Sequence, residues 1–142
     1  MRKAFTAVEI LVVIGISTLF VSAGAFSLRA YQPTAALRSA SRELVVNLRF
    51  TSAQAVATQL THTLQLYNAQ SRYDIVGGDG QIIRTISLPS GITIAQTSLP
   101  QNQATFNVLG AAQDPGTITL QNINSLTSII DIRPSGYVKI IQ

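Results

Sequence analysis

Residues Phe5 to Leu28 read FTAVEILVVIGISTLFVSAGAFSL, an apolar stretch beside the N-terminus with a single charge, Glu9, near its start. From Ile10 to Leu28 the chain runs 19 residues without an ionisable group. As an α-helix rising 1.5 Å per residue, that run measures about 28 Å, close to the thickness of a bilayer's hydrocarbon core. A secretory signal has a shorter apolar core, about 7 to 15 residues, closed by a small-residue cleavage site. This run is longer and continues into helix-compatible sequence, so the stretch predicts a helix that is kept. Arg2 and Lys3 lie just before it, and the positive-inside bias predicts a cytoplasmic N-terminus with residues 30 to 142 on the other side of the membrane.

Glu9 requires a physical account within so apolar a segment. A lone carboxylate at the centre of a spanning helix costs on the order of 2.5 to 3.5 kcal/mol, and less near the interface. The nearest positive groups in the chain are Arg2, Lys3 and the N-terminal amine. Two readings stand at this level. The carboxylate either sits at headgroup depth and favours the helix N-terminus electrostatically, or it marks a functional position.

Beyond the apolar run the pattern changes twice. Pro33 removes one backbone donor, which predicts a kink or short break. From Thr34 to Thr58 the apolar residues Leu37, Ala40, Leu44, Val45, Leu48, Ala55 and Val56 fall at three- and four-residue steps. Arg38, Arg42 and Arg49 lie elsewhere on the wheel and read as a solvated face, so this half predicts an amphipathic helix packed on a sheet. After Gln59 the period becomes alternating, with turn signals at Gly77-Gly78-Asp79-Gly80, Pro89-Ser90-Gly91, Gly110 to Gly116, Asn122 to Ser125 and Pro134-Ser135-Gly136. Strands are predicted over 61–67, 72–76, 81–88, 92–96, 104–109, 116–122, 127–133 and 137–141. The fold class is therefore α+β, a long N-terminal helix packed on an antiparallel β-sandwich or pair of small sheets.

Composition narrows the function. With 142 residues, 46% hydrophobic and 11% charged, the chain has room for one membrane helix and one globular domain. It contains no cysteine, hence no disulfide framework and no thiolate metal site. The single histidine, His62, alternates with Leu64 and Leu66 and reads as a packed strand residue. No GxSxG, HExxH or phosphate-loop pattern occurs, and Asp74, Asp79, Asp114 and Asp131 are too scattered for a calcium loop. We expect no enzyme activity, no cofactor and no metal.

The run Ala4-Phe5-Thr6-Ala7-Val8-Glu9-Ile10-Leu11-Val12-Val13-Ile14 resembles the N-terminal signature of type IV prepilins and type II secretion pseudopilins. That resemblance implies a leader, residues 1–4, removed by prepilin peptidase between Ala4 and Phe5, followed by N-methylation of Phe5. It implies a single-pass inner-membrane protein whose helix, residues 5–30, becomes filament core. The remaining 31–142 would form a periplasmic or extracellular domain, with the amphipathic helix at 34–58 and the β-domain at 61–142. Glu9 falls at the fifth mature position, where the family's glutamate pairs with a neighbouring subunit's N-terminal amine. Two residues depart from the pattern: Ala4 stands where Gly is usual, and Ala7 where a large aliphatic residue is more frequent. Loss of Arg2 and Lys3 with the leader would lower the net charge from +4 to +2.

The second half carries a resemblance of its own. Thr105-Phe106-Asn107-Val108-Leu109-Gly110, Gly116-Thr117-Ile118-Thr119-Leu120 and Ile130 to Ile140 look like the closing strands of the GspH and FimT branch of minor pseudopilins and minor pilins. The partners implied are other pilins or pseudopilins, through the helix bundle. Some relatives in that branch capture DNA through a Gly-Arg-x-Arg turn, and the matching stretch here is Gly136-Tyr137-Val138-Lys139, with Tyr in place of the first Arg. Arg133, Tyr137 and Lys139 are the residues that would meet nucleic acid under this alternative. A hairpin turn accounts for the same residues without a ligand.

Overall fold

The computed structural model describes residues 6–141; within the N-terminal helix the side chains of 22–30 lie outside that description. The helix, α1, runs from Ala7 to Thr58, 52 residues. Thr6 caps it: its Oγ1 accepts the Glu9 backbone N–H at 3.3 Å, and its carbonyl accepts the N–H groups of Glu9 and Ile10. Thr6-Ala7-Val8-Glu9 has the spacing of a capping box, and an acid in the first turn suits the positive end of the helix dipole. Ser17 and Thr18 turn their hydroxyls back onto the carbonyls of Val13 and Ile14, which satisfies two polar groups inside an apolar stretch. The helix ends where Gln59 enters the left-handed region at φ 55°, with its amide donating to the Val56 carbonyl.

Pro33 lies inside α1, so the predicted break is corrected: the helix passes through. A proline forfeits one intrahelical bond, and the turns on either side supply the rest. By compactness the chain divides into two units, Met1–Gln32 and Pro33–Gln142. In the first, the apolar side chains of Val8, Leu11, Val12, Phe20 and Val21 are exposed. Among the described residues no helix is long and apolar enough to cross a membrane. The expected span Ile10–Leu28 lies partly outside them, because it continues through 22–28.

The second unit combines the C-terminal half of α1 with eight strands, as the alternation predicts: β1 (His62–Tyr67), β2 (Arg72–Val76), β3 (Ile82–Ser87), β4 (Ile92–Thr97), β5 (Gln103–Phe106), β6 (Gly116–Asn122), β7 (Thr127–Ile132) and β8 (Val138–Ile141). They form two four-stranded sheets in the orders β3-β2-β1-β5 and β4-β6-β7-β8, with every pairing antiparallel. Register puts large, mostly apolar side chains opposite one another: Leu64 faces Ile75 and Leu66 faces Tyr73 in the first sheet. In the second, Ile118 faces Ile130 and Ile132 faces Val138. These residues and Leu37, Leu44, Val45 and Leu48 of α1 belong to one buried cluster. A single core under one helix face and two sheets is what the 3.6-to-2 change of period encodes.

Several strand ends shift by a residue from the sequence reading, and three differences have a clear physical reason. Val56, expected on the buried face, is 45% exposed, because it lies one residue past Ala55 on the wheel, at the helix's last turn. The strand expected over 104–109 stops at Phe106. There the Asn107 Oδ1 accepts the N–H groups of Leu109 and Ala111 and folds the chain into a turn closed by Gly110 at φ +79°. Arg133 and Tyr137 stand in the turn between β7 and β8, outside both strands, since Arg133 and Tyr137 close it by a backbone bond and Gly136 supplies φ +79°.

Candidate functional site

The expected processing residues Ala4 and Phe5 lie outside the described residues. Glu9 sits in the first turn of α1, exposed, its backbone held by Thr6. Its carboxylate has no hydrogen-bond or ion-pair partner among the described residues, so the local cap engages the main chain and leaves the charge available.

At the other end of the chain the β7–β8 turn brings Arg133 and Tyr137 together, the guanidinium 5.8 Å from the ring centroid. Arg133 Nε also lies 3.5 Å from Asp131 Oδ2, and Lys139 stands directly opposite Asp131 in the β7–β8 register. One carboxylate thus pairs with Arg133 and lies across the strand pair from Lys139, which weakens any attraction to phosphate.

The lower half of α1 carries a set of polar groups that periodicity alone does not show. Ser41, Asn47 and Thr51 are buried on its inner face. Ser41 and Thr51 bond back to the carbonyls of Leu37 and Asn47. Asn47 donates through Nδ2 to the Tyr73 hydroxyl on β2 at 2.8 Å. Burial pushes the Tyr73 phenol up to about 12, with Glu43 adding to the effect and the Asn47 bond and Arg84 opposing it. Two residues on, Arg49 donates through Nη2 to the Val138 carbonyl of β8 at 2.8 Å. Neighbouring helical positions therefore tie α1 to both sheets.

His62 is buried and its Nδ1 donates to the Leu60 carbonyl at 3.1 Å, a packed strand residue. Asp74 is buried beside Arg72 at 3.8 Å, and its Oδ1 has no hydrogen-bond partner among the described residues. Arg72 stacks on Tyr67, 4.7 Å from the ring centroid. Sequence reasoning missed this group because Asp74 looks like an ordinary strand-edge acid until β1 and β3 close on both sides of β2. Among the described residues no group of three or more acidic or histidine side chains is placed to hold a metal.

The family model described as Type II transport protein GspH matches residues 40–136. The chain belongs to the GspH family. The GspH match begins in the lower half of α1 and ends at Gly136, so it takes in Asn47, Tyr73, Arg49 and Arg133 and stops short of Tyr137 and Lys139. Among solved structures, the chain is similar to the type IV minor pilin FimU of Pseudomonas aeruginosa, at 17% identity and a TM-score of 0.62 over 75% of this chain and 88% of that one. It is also similar to the minor pseudopilin EpsH of the type II secretion system of Vibrio cholerae, at 10% identity and a TM-score of 0.64 over 75% of this chain and 94% of that one. At these identities the likeness is one of fold. No curated protein matches the chain.

Proposed function

We propose that this GspH-family chain is a minor structural subunit of a type II secretion pseudopilus or a type IV pilus. In this reading it is a single-pass inner-membrane protein before assembly. Prepilin peptidase cuts it between Ala4 and Phe5, the new Phe5 amine is methylated, and α1 then enters a bundle of like helices. The observation that carries the reading is the GspH match across residues 40–136, which covers the lower helix from Ala40 onward and every strand but β8.

The exposed apolar side chains from Val8 to Val21 support it, since a continuous apolar surface of that kind is stable only under lipid or other helices. Glu9 supplies specificity. Where water is scarce a carboxylate and an ammonium attract far more strongly than in bulk, and either left alone is penalised. Pairing Glu9 with the Phe5 amine of the next subunit therefore selects one axial stagger. Such a contact repeats head to tail without closing, which builds a filament.

Mass spectrometry of the protein from its own cells should find N-methyl-Phe5 at the N-terminus; intact Met1 would remove the processing step. Glu9→Ala should abolish incorporation into filaments while leaving membrane insertion unchanged. Normal incorporation of that variant refutes the register role.

A further inference from the structure

We propose that a cleft between α1 and the β7–β8 side of the second sheet receives the carboxylate of a glutamate-bearing segment from a neighbouring subunit. The identity of that neighbour rests on the filament reading, whereas the cleft's preference for an acidic peptide does not. The cleft has a volume of about 520 Å³ and is lined by Arg38, Ser41 and Arg42 of α1, Ser128 of β7 and Ile140 of β8. That size suits a bound segment of a few side chains and exceeds what a lone inorganic anion fills.

Its arginines are set apart from the others. Arg49 is bonded to Val138, Arg72 is held by Asp74 and Tyr67, Arg84 lies over Phe50, and Arg133 meets Asp131. Arg38 and Arg42 have no hydrogen bond, ion pair or ring contact among the described residues. They stand four apart on one helix face, where like charges repel. No acidic residue lines the cleft to relieve them, so two guanidinium forks are available for bidentate carboxylate binding.

The remaining walls refine the ligand. The Ser41 hydroxyl already donates to the Leu37 carbonyl, while the hydroxyl of Ser128, a residue only 8% exposed, has no hydrogen-bond partner among the described residues and is the neutral donor. Ile140 offers an apolar surface for a short hydrocarbon stem. A glutamate side chain on an extended peptide supplies both stem and carboxylate; inorganic phosphate supplies only charge.

The test uses the full-length chain in non-ionic detergent and a fluorescent deca-glutamate peptide, read by anisotropy at fixed ionic strength. The peptide should bind, and deca-glutamine should not. The R38Q/R42Q double variant should weaken binding by about tenfold or more, as expected for loss of two charge-assisted contacts. Arg133→Gln, away from the cleft, should leave it unchanged, and Ser128→Ala should weaken it about threefold. Both arginines are exposed, so R38Q/R42Q should melt like the parent. Equal binding by parent and R38Q/R42Q, an equal loss in Arg133→Gln, or displacement by inorganic phosphate at matched ionic strength would each overturn the proposal. A negative peptide result alongside assembly that depends on Glu9 sinks the cleft alone; a positive one with Glu9-independent assembly sinks only the filament register.

Discussion

Replacing Tyr73 by Phe removes one oxygen and no packing surface, which isolates the bond joining α1 to the first sheet. Asn47 is 5% exposed and Tyr73 1%, and their bond measures 2.8 Å. The variant leaves the Asn47 amide buried without an acceptor, at a cost of about 1 to 3 kcal/mol. Burial of the phenol has a separate signature in pH, against which the Asn47 bond works. The folded phenol is raised to about 12 from 10.0, so the neutral form is favoured in the folded state. The associated stability is complete below pH 10 and is lost as pH rises toward 12. That rise corresponds to roughly 2.7 kcal/mol at the upper end. Urea unfolding of the full chain in detergent, followed by circular dichroism across that range, should show the parent losing stability more steeply than Tyr73→Phe. Asn47→Leu combined with Tyr73→Phe should recover part of the loss at neutral pH, because neither partner is then left unpaired. If Tyr73→Phe matches the parent at neutral pH, the bond contributes nothing; if the two decline in parallel at high pH, burial does not hold the phenol neutral.

Leu44→Ala and Leu48→Ala each empty a fully buried site and should cost about 2 to 5 kcal/mol in the same unfolding assay, whereas Val56→Ala should fall within about 0.5 kcal/mol. Gly136→Ala should be far worse than Gly80→Ala: both have positive φ, but a Cβ on Gly136 lands on the Gly110 carbonyl oxygen while Gly80 faces open space. The Gly80 change should cost about 1 kcal/mol, and thermal melts that rank the two equally would contradict the turn packing. Lys139→Ala should leave electrophoretic mobility of short DNA at low salt unchanged, given Asp131 opposite; a shift that this change abolishes would favour nucleic-acid capture.

The two periods of the chain made its elements legible. Leu37, Ala40, Leu44, Val45 and Leu48 mark the buried helix face, and the alternation through Leu64, Leu66, Ile118, Leu120, Ile130 and Ile132 marks strands, because burial of one face imposes these spacings directly. Which strands become neighbours is not local information. β4 follows β3 in the chain yet joins the other sheet, and β1 lies between β2 and β5. The polar groups were equally hidden. Ser41, Asn47 and Thr51 look out of place on a buried face until backbone carbonyls and the Tyr73 hydroxyl answer them. The arginines read as one solvated face; only the fold separates Arg49, a strap to β8, from Arg38 and Arg42, which line a cleft. Glu9 stood out from sequence as a charge in an apolar run, and its Thr6 cap follows from the same four residues.

Among the described residues no strand pairing joins the two sheets, yet Asn47 and Arg49 fasten one to each within a single turn of helix. A pull along α1 would reach both sheets at the same level, as a rivet loads two plates together. The domain would then resist as one body, without peeling sheet from sheet.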